Sequence, residues 1–329
     1  MRCILIPHPR YTHRPLTLYP SRTEAVIMSD TLLQNSFYIG NVFNSILYGV
    51  ELMLYFNTMQ AYFEKQLEHR PSDKFYMIFS TIILFLITIF VATQLVLGQE
   101  MWIINAGYPG GAFAYFVAHV SVWYQTMGSA ASILLQLMTD ALLIHRCFTV
   151  WIGNYRVLLV PCCLWLSSLV FGILDLTTSG SPNGDFFEGL AARVGLVYFS
   201  LTIGLNVITT CLICGRIIFY ARCMRNHPGP EVAKVYFTTV TIVVESALPY
   251  TLFGITFLVL YGLDNNTSIL FLSLYGMFTC ISPQMLILRV VRRRAWSAET
   301  AQPTTLVFAT HSAAAPYTTS EAETCSSVV

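Results

Sequence analysis

Along the chain, long apolar stretches alternate with short polar connections, and seven of the stretches reach the roughly 20 residues that carry a helix across a bilayer. They lie at 37–59, 75–97, 113–144, 157–177, 190–219, 236–262 and 268–289. A backbone facing lipid must satisfy its own hydrogen bonds, and runs of this length are not barrel strands. The pattern therefore predicts an all-α membrane protein, a seven-transmembrane-helix bundle over residues 37–290. Residues 1–36 read as an N-terminal tail and 291–329, rich in Ser, Thr and Ala, as a disordered tail with many phosphorylatable hydroxyls. The start of the chain is no secretory signal, because its apolar stretch CILI is too short and prolines follow it. Residues 1–27 show no periodicity and precede a second methionine, Met28, so they are expected to be dispensable.

Polar residues interrupt the apolar runs at helical intervals. In the third segment Gln125, Ser129, Ser132, Gln136 and Asp140 follow at spacings of 4, 3, 4 and 4, which puts them on one helix face with Asp140 at its end. The first segment repeats the arrangement with Asn41, Asn44, Tyr48, Glu51 and Tyr55. Such stripes are expected to face the bundle interior, where polar groups bond across helices instead of meeting hydrocarbon. The sixth segment adds Glu245 and, four residues on, Pro249, which cannot donate a backbone hydrogen bond and is expected to kink the helix. Glu51, Asp140 and Glu245 would each fall within two or three turns of the same end of the bundle. They form either a shared carboxylate layer acting as a switch or ion site, or three separate packing residues.

Composition agrees with a membrane setting. The 329 residues are 55% hydrophobic and 11% charged, with a mean hydropathy of +0.61, whereas soluble domains carry about 25% charged residues. A net charge of +1 and the lack of a basic stripe speak against nucleic acid as a partner. The nine cysteines fall mostly in apolar runs or beside basic flanks and read as buried free thiols. Basic residues set an orientation. Thirteen of the eighteen lie in the 1–2, 3–4 and 5–6 connections and the C-terminal flank, against five in the N-terminal tail and the remaining connections. The positive-inside bias then places the N-terminus outside and the C-terminus in the cytoplasm; a plasma membrane is the expected setting, and the organelle is not fixed by the sequence.

Arg146, six residues beyond Asp140, lies nearly opposite it on the helix and reads as an interfacial anchor that snorkels beside Trp151 and Tyr155, in preference to an ionic latch to the sixth helix. His119 is alone in its apolar span, no spacing resembles a metal cage, and no nucleophile–base constellation is visible, so neither an enzyme nor a cofactor is expected. Asn265-Asn266-Thr267-Ser268 holds two overlapping glycosylation acceptors in a 6–7 connection so short that it lies against the membrane. The seventh segment has no lysine, which excludes a retinal Schiff base there, and Pro283-Gln284 is a weak likeness to seven-helix sugar transporters without the internal repeat that architecture needs.

G-protein-coupled receptors share the topology but not the details: His145-Arg146-Cys147 stands where the rhodopsin-like class has its acidic-Arg-Tyr triplet, no Asn-Pro-x-x-Tyr occurs in the seventh segment, and the outer 2–3 and 4–5 loops have no cysteines to pair. A closer resemblance runs over nearly the whole membrane region. The strings YGVELMLYF, GQEMWIINAGYPGG, VWYQTMGSAAS, DALLIHRCFTVW, GLNVITTCLICGR, VESALPYTLFGI and FTCISPQMLILRVVRRRAW together resemble an uncharacterised family of multi-pass membrane proteins abundant in mushroom-forming fungi. The resemblance implies an architecture and no mechanism. Two functions stay open on the residues. One is a receptor-like or sensory protein with an unknown small-molecule ligand, whose signal passes to a cytosolic partner at the 5–6 loop and C-terminal tail. The other is a small-solute transporter or channel using the carboxylates. The charge bias makes the orientation testable. In sealed vesicles a protease site appended at Val329 should be cut only from the cytoplasmic face and one inserted at Asn266 only from the other, and the reverse pattern overturns the orientation.

Overall fold

The computed structural model describes residues 22–63, 71–119, 121–151, 154–180, 189–224 and 230–300. These form α1 (Arg22–Phe63), α2 (Pro71–Gln99), a short α3 (Gly111–His119), α4 (Trp123–Val150), α5 (Tyr155–Ser179), α6 (Gly189–Met224), α7 (Pro230–Gly262) and α8 (Ser268–Thr300), with α2 running on into one π-helical turn at Glu100–Ile104. Every helix but α3 contains a stretch long and apolar enough to cross a membrane: Thr31–Phe63, Lys74–Ile104, Trp123–Val150, Tyr155–Thr178, Ala192–Tyr220, Val243–Gly262 and Ser268–Arg292. The chain is thus an all-α, multi-pass membrane protein with seven candidate spans.

Three boundaries differ from the sequence reading. The apolar run 113–144 is not one helix. It is longer than a bilayer requires, and the chain breaks near Val122, whose extended backbone (φ −65°, ψ 146°) opens α4 and splits off α3. The first helix begins at Arg22, so residues 22–36 are helical where a tail is expected, and Leu33 and Ser36 are already buried. The last helix carries the basic flank on to Thr300. Residues 1–21, 225–229 and 301–329, which include most of both tails and the tip of the 5–6 connection, lie outside the described residues.

Consecutive spans pack side by side and the ring closes through α1 against α8, while α4 also reaches across to α6 and α8, and α2 to α8. Half of the α4 span is buried against 17% of the α5 span, which makes α4 the central post and α5 a peripheral one. The outward faces carry exposed apolar side chains such as Met53, Phe56, Phe85 and Leu252, as a lipid-facing perimeter requires. α1, α4, α6 and α8 all finish at the end where Arg146, Arg216, Arg289 and Arg292 lie, called here the basic end. The opposite end is capped by α3 and the π-helical turn. There Leu33 and Phe37 of α1, Leu97 and Met101, Tyr115 and Phe116 of α3 and Ile269 of α8 form one apolar cluster. The Tyr115 hydroxyl donates to Glu100 Oε2 at 3.4 Å, and burial, reinforced by the Glu100 carboxylate, holds this phenol above its ordinary pKa.

Lipid tails are as apolar as leucine, so helix association in a bilayer depends on close packing more than on the hydrophobic effect. Gly128 of α4 shows this. A Cβ placed there would run into the Thr93 hydroxyl of α2 at less than any real contact distance, whereas Gly204 of α6 faces open space. Gly128→Ala should therefore destabilise the bundle by about 1–3 kcal/mol through overpacking, while Gly204→Ala should be neutral or stabilise by up to about 1 kcal/mol through helix propensity. The melting temperatures of the two purified variants in detergent decide it, and equal effects would refute the tight α2–α4 crossing.

Candidate functional site

Asp140 is buried to 1% exposure, and its carboxylate accepts from Gln136 Nε2 at 3.1 Å on both oxygens. One helical turn separates the two residues, so the donor comes from α4 itself, and the cross-helix partners reach Asp140 through Gln136 instead of bonding it directly. The same Nε2 also donates to the Tyr250 hydroxyl of α7 at 2.9 Å. Tyr250 lies 2.8 Å from the Tyr275 hydroxyl of α8, which donates back to Gln136 Oε1 at 3.3 Å. The Gln136 amide donates to Tyr250, and Tyr275 has one hydroxyl proton and gives it to the Gln136 carbonyl, so the bond between the two phenols is donated by Tyr250. Thr279 of α8 donates to the same Oε1 at 3.2 Å, and Thr202 of α6 meets the Tyr275 hydroxyl at 3.1 Å. Gln136 thereby uses both of its N–H groups and both carbonyl lone pairs. One amide ties α4, α7 and α8 together, with α6 joined through Tyr275.

Above this circuit, toward the capped end, lies a cavity of about 170 Å³. The stripe residues Gln125, Ser129, Ser132 and Gln136 line one wall of it, and Gln136, Tyr275 and Thr279 make its floor. The sequence thus places the α4 stripe on the correct face. It does not single out Asp175 of α5, which lines the cavity as well, is 8% exposed and has a buried Oδ1 without a hydrogen-bond partner. Its signal is the one that Asp140 gives, a carboxylate in the apolar string FGILDLTTSG, masked by its closeness to the end of the helix. Tyr275, Thr279 and Thr202 carry no such signal, since an isolated Tyr or Thr in an apolar run is ordinary.

The α1 stripe packs on the other side of α8. Asn41 donates to the Gln94 carbonyl at 3.3 Å, and Tyr48 and Tyr55 meet Thr88 and Thr81 of α2 at 2.9 and 3.4 Å. Glu51 is fully buried against the Cys280 thiol, which spends its own proton on the Met277 carbonyl at 2.9 Å and leaves both Glu51 oxygens without a partner. Thr279 and Cys280 are consecutive, so Glu51 and the Gln136 circuit sit at one level of the bundle, on two faces of α8. Gln284, the polar half of the Pro-Gln pair, is also buried and donates to Ser80 of α2 at 2.6 Å.

Glu245 does not join that level. Its side chain is 61% exposed and it pairs with Arg289 of α8 at 3.2 Å near the basic end. The reason is helix phase: Tyr250 points inward, and Glu245, five residues earlier, turns well away from it. The Arg146 guanidinium lies over the Tyr76 ring of α2, 5.8 Å from the centroid. Pro249 lies inside an unbroken α7, as Pro283 does inside α8. Each leaves the carbonyl one turn earlier, on Glu245 and Thr279, without its helical donor. Next to the first of these, Ser282 of α8 donates to the Ser246 carbonyl at 2.6 Å. Among the described residues no group of three His, Cys, Asp or Glu side chains could hold a metal ion.

No protein-family model, curated protein or solved structure matches the chain. Its functional reading rests on this geometry.

The circuit makes unequal losses measurable. Tyr275→Phe removes one hydroxyl and should cost about 1 kcal/mol, the scale of single interhelical hydrogen bonds in bilayers. Gln136→Leu leaves the Asp140 carboxyl unpaired and takes one bond each from Tyr250, Tyr275 and Thr279, and should cost several times more. In equilibrium unfolding of the purified protein, the double variant should fall short of the sum of the two by at least about 0.5 kcal/mol, and strict additivity would show that the two residues do not share a network.

Proposed function

We propose that the chain is a receptor-like sensory protein, a member of the seven-helix family that its motifs resemble, in which a small molecule in the capped-end cavity alters the packing of α7 and α8 at the basic end. The observation that carries this is the Gln136 circuit. Three of its members, Gln136, Tyr275 and Thr279, form the cavity floor, and the fourth, Tyr250, directly follows Pro249. A ligand touching the floor acts on the two helices at the points where proline has already removed a backbone hydrogen bond. Below those points the two helices are held by the Glu245–Arg289 pair. An exposed pair of this kind contributes about 0–1 kcal/mol, far less than the roughly 8 kcal/mol of a micromolar ligand, so modest differential affinity suffices to release it. With the basic end in the cytoplasm of a plasma-membrane protein, as the charge bias favours, the 5–6 connection and C-terminal tail are the output surface for a cytosolic partner.

Transport of a small solute is the second reading. It is favoured by a pocket of about 30 Å³ on the other side of the circuit, lined by Thr139, Asn206, Thr210, Ser246 and Ser282 among others, which would continue a path from the cavity.

Spin labels at Thr149 of α4 and Val244 of α7 separate the two. In proteoliposomes, Glu245→Gln should broaden the label distance by several ångströms, about the rise of one helical turn, without releasing entrapped sugars or amino acids. Solute release at an unchanged label distance would overturn the receptor reading in favour of transport.

A further inference from the structure

The cavity carries a chemical preference. Among the described residues that line it, Asp175 is the one aspartate or glutamate, and there is no lysine, arginine or histidine. Its Oδ1 is buried with no donor, and across the cavity Gln125, 9% exposed, holds its Oε1 buried and equally without a donor. Both residues line the chamber, and a molecule that brings donors can draw either acceptor out of its covered position, where an unpaired acceptor costs about 1–3 kcal/mol. On its far side Asp175 Oδ1 lies against Gly195 of α6, where a Cβ would come within 3.2 Å of it. Facing the polar α4 stripe, the rest of the lining is largely apolar and aromatic, with Phe37, Phe90, Phe116, Tyr198 and Phe199 among it. Ring faces attract cations and repel anions.

Size narrows the class. An engineered cavity of about 150 Å³ holds one benzene, so about 170 Å³ admits a single ring with a short appendage or an aliphatic of similar bulk. We infer that the cavity binds a small amphiphilic ammonium cation, its N–H donors taken by Asp175 and Gln125 and its apolar body packed among the rings. An anion would face Asp175 with no counter-charge, and a sugar could turn only one of its faces to the polar α4 stripe and would lay the other against phenylalanine. This rests on the cavity being a ligand chamber, as in the receptor reading. It is measured by binding alone, so its failure is distinct from a failure of the latch experiment at the basic end.

The probe pair is 2-phenylethylammonium and 2-phenylethanol, which share ring and chain and differ in the cationic head. Calorimetric titration of the purified full-length protein in nanodiscs should give a saturable site that prefers the ammonium by about tenfold or more, the usual gap between a charge-assisted and a neutral hydrogen bond. Asp175→Asn should abolish that preference while leaving the melting temperature of the unliganded protein within a few degrees. Ser132→Phe, which fills the chamber without touching either acceptor, should abolish binding of both probes. Equal affinity for the two probes in the unmodified protein, an ammonium preference that survives Asp175→Asn, or binding that survives Ser132→Phe overturns the inference. Should Asp175→Asn fail to fold, Gln125→Leu takes its place, with a loss of about threefold or more in ammonium affinity expected and no loss for the alcohol.

Discussion

A carboxylate and an amide in the middle of a helix bundle are costly to leave unpaired, since a charged side chain at the bilayer centre costs about 2.5–3.5 kcal/mol on insertion scales and an unpaired amide costs a comparable amount. Here the answer to that constraint is a single side chain. Gln136 offers its amide hydrogens to Asp140 and Tyr250 and its carbonyl to Tyr275 and Thr279. The central helix, α4, is thereby fastened to α7 and α8 by bonds that hydrocarbon cannot replace, and the level of this fastening divides the interior into a roomy chamber on one side and a narrow pocket on the other.

The same level gathers the weak points of the backbone. Pro249 and Pro283 interrupt neighbouring helices just below the circuit, and Ser282 mends one of the neighbouring carbonyls from the adjacent helix. Strong side-chain bonding and weakened main-chain bonding thus occupy adjacent turns of α7 and α8. In a packed bundle this concentrates deformation at one place, because the close α2–α4 crossing at Gly128 and the filled cap at Leu33, Met101 and Phe116 leave little freedom elsewhere.

Much of this was legible before any coordinates. Seven apolar runs predict seven spans, with ends that differ by up to ten residues, because the bilayer thickness acts on composition alone, and the α4 stripe from Gln125 to Gln136 lands on the cavity wall because helical phase is set by local spacing. Failures arise where a tertiary neighbour decides. The length of the 113–144 run hides the break that makes α3. Glu245 reads as an inward carboxylate from depth, but phase turns it outward to Arg289. Tyr275, Thr279 and Thr202 belong to the site only because α6 and α8 bring them to Gln136, and nothing local marks them. Glu51 was legible as a buried acid, yet its neighbour Cys280 has no counterpart in the pattern of α1.

The saturation of Gln136 has an evolutionary consequence. Glutamate at this position would trade a donor for an acceptor, asparagine would be one methylene too short to span the three helices, and any apolar residue would strand several groups in hydrocarbon. No single substitution preserves all four bonds, so position 136 cannot drift by neutral steps. Change there has to be accompanied by change at Asp140, Tyr250, Tyr275 or Thr279, and across divergent copies of this fold those five positions should therefore vary as a set or not at all.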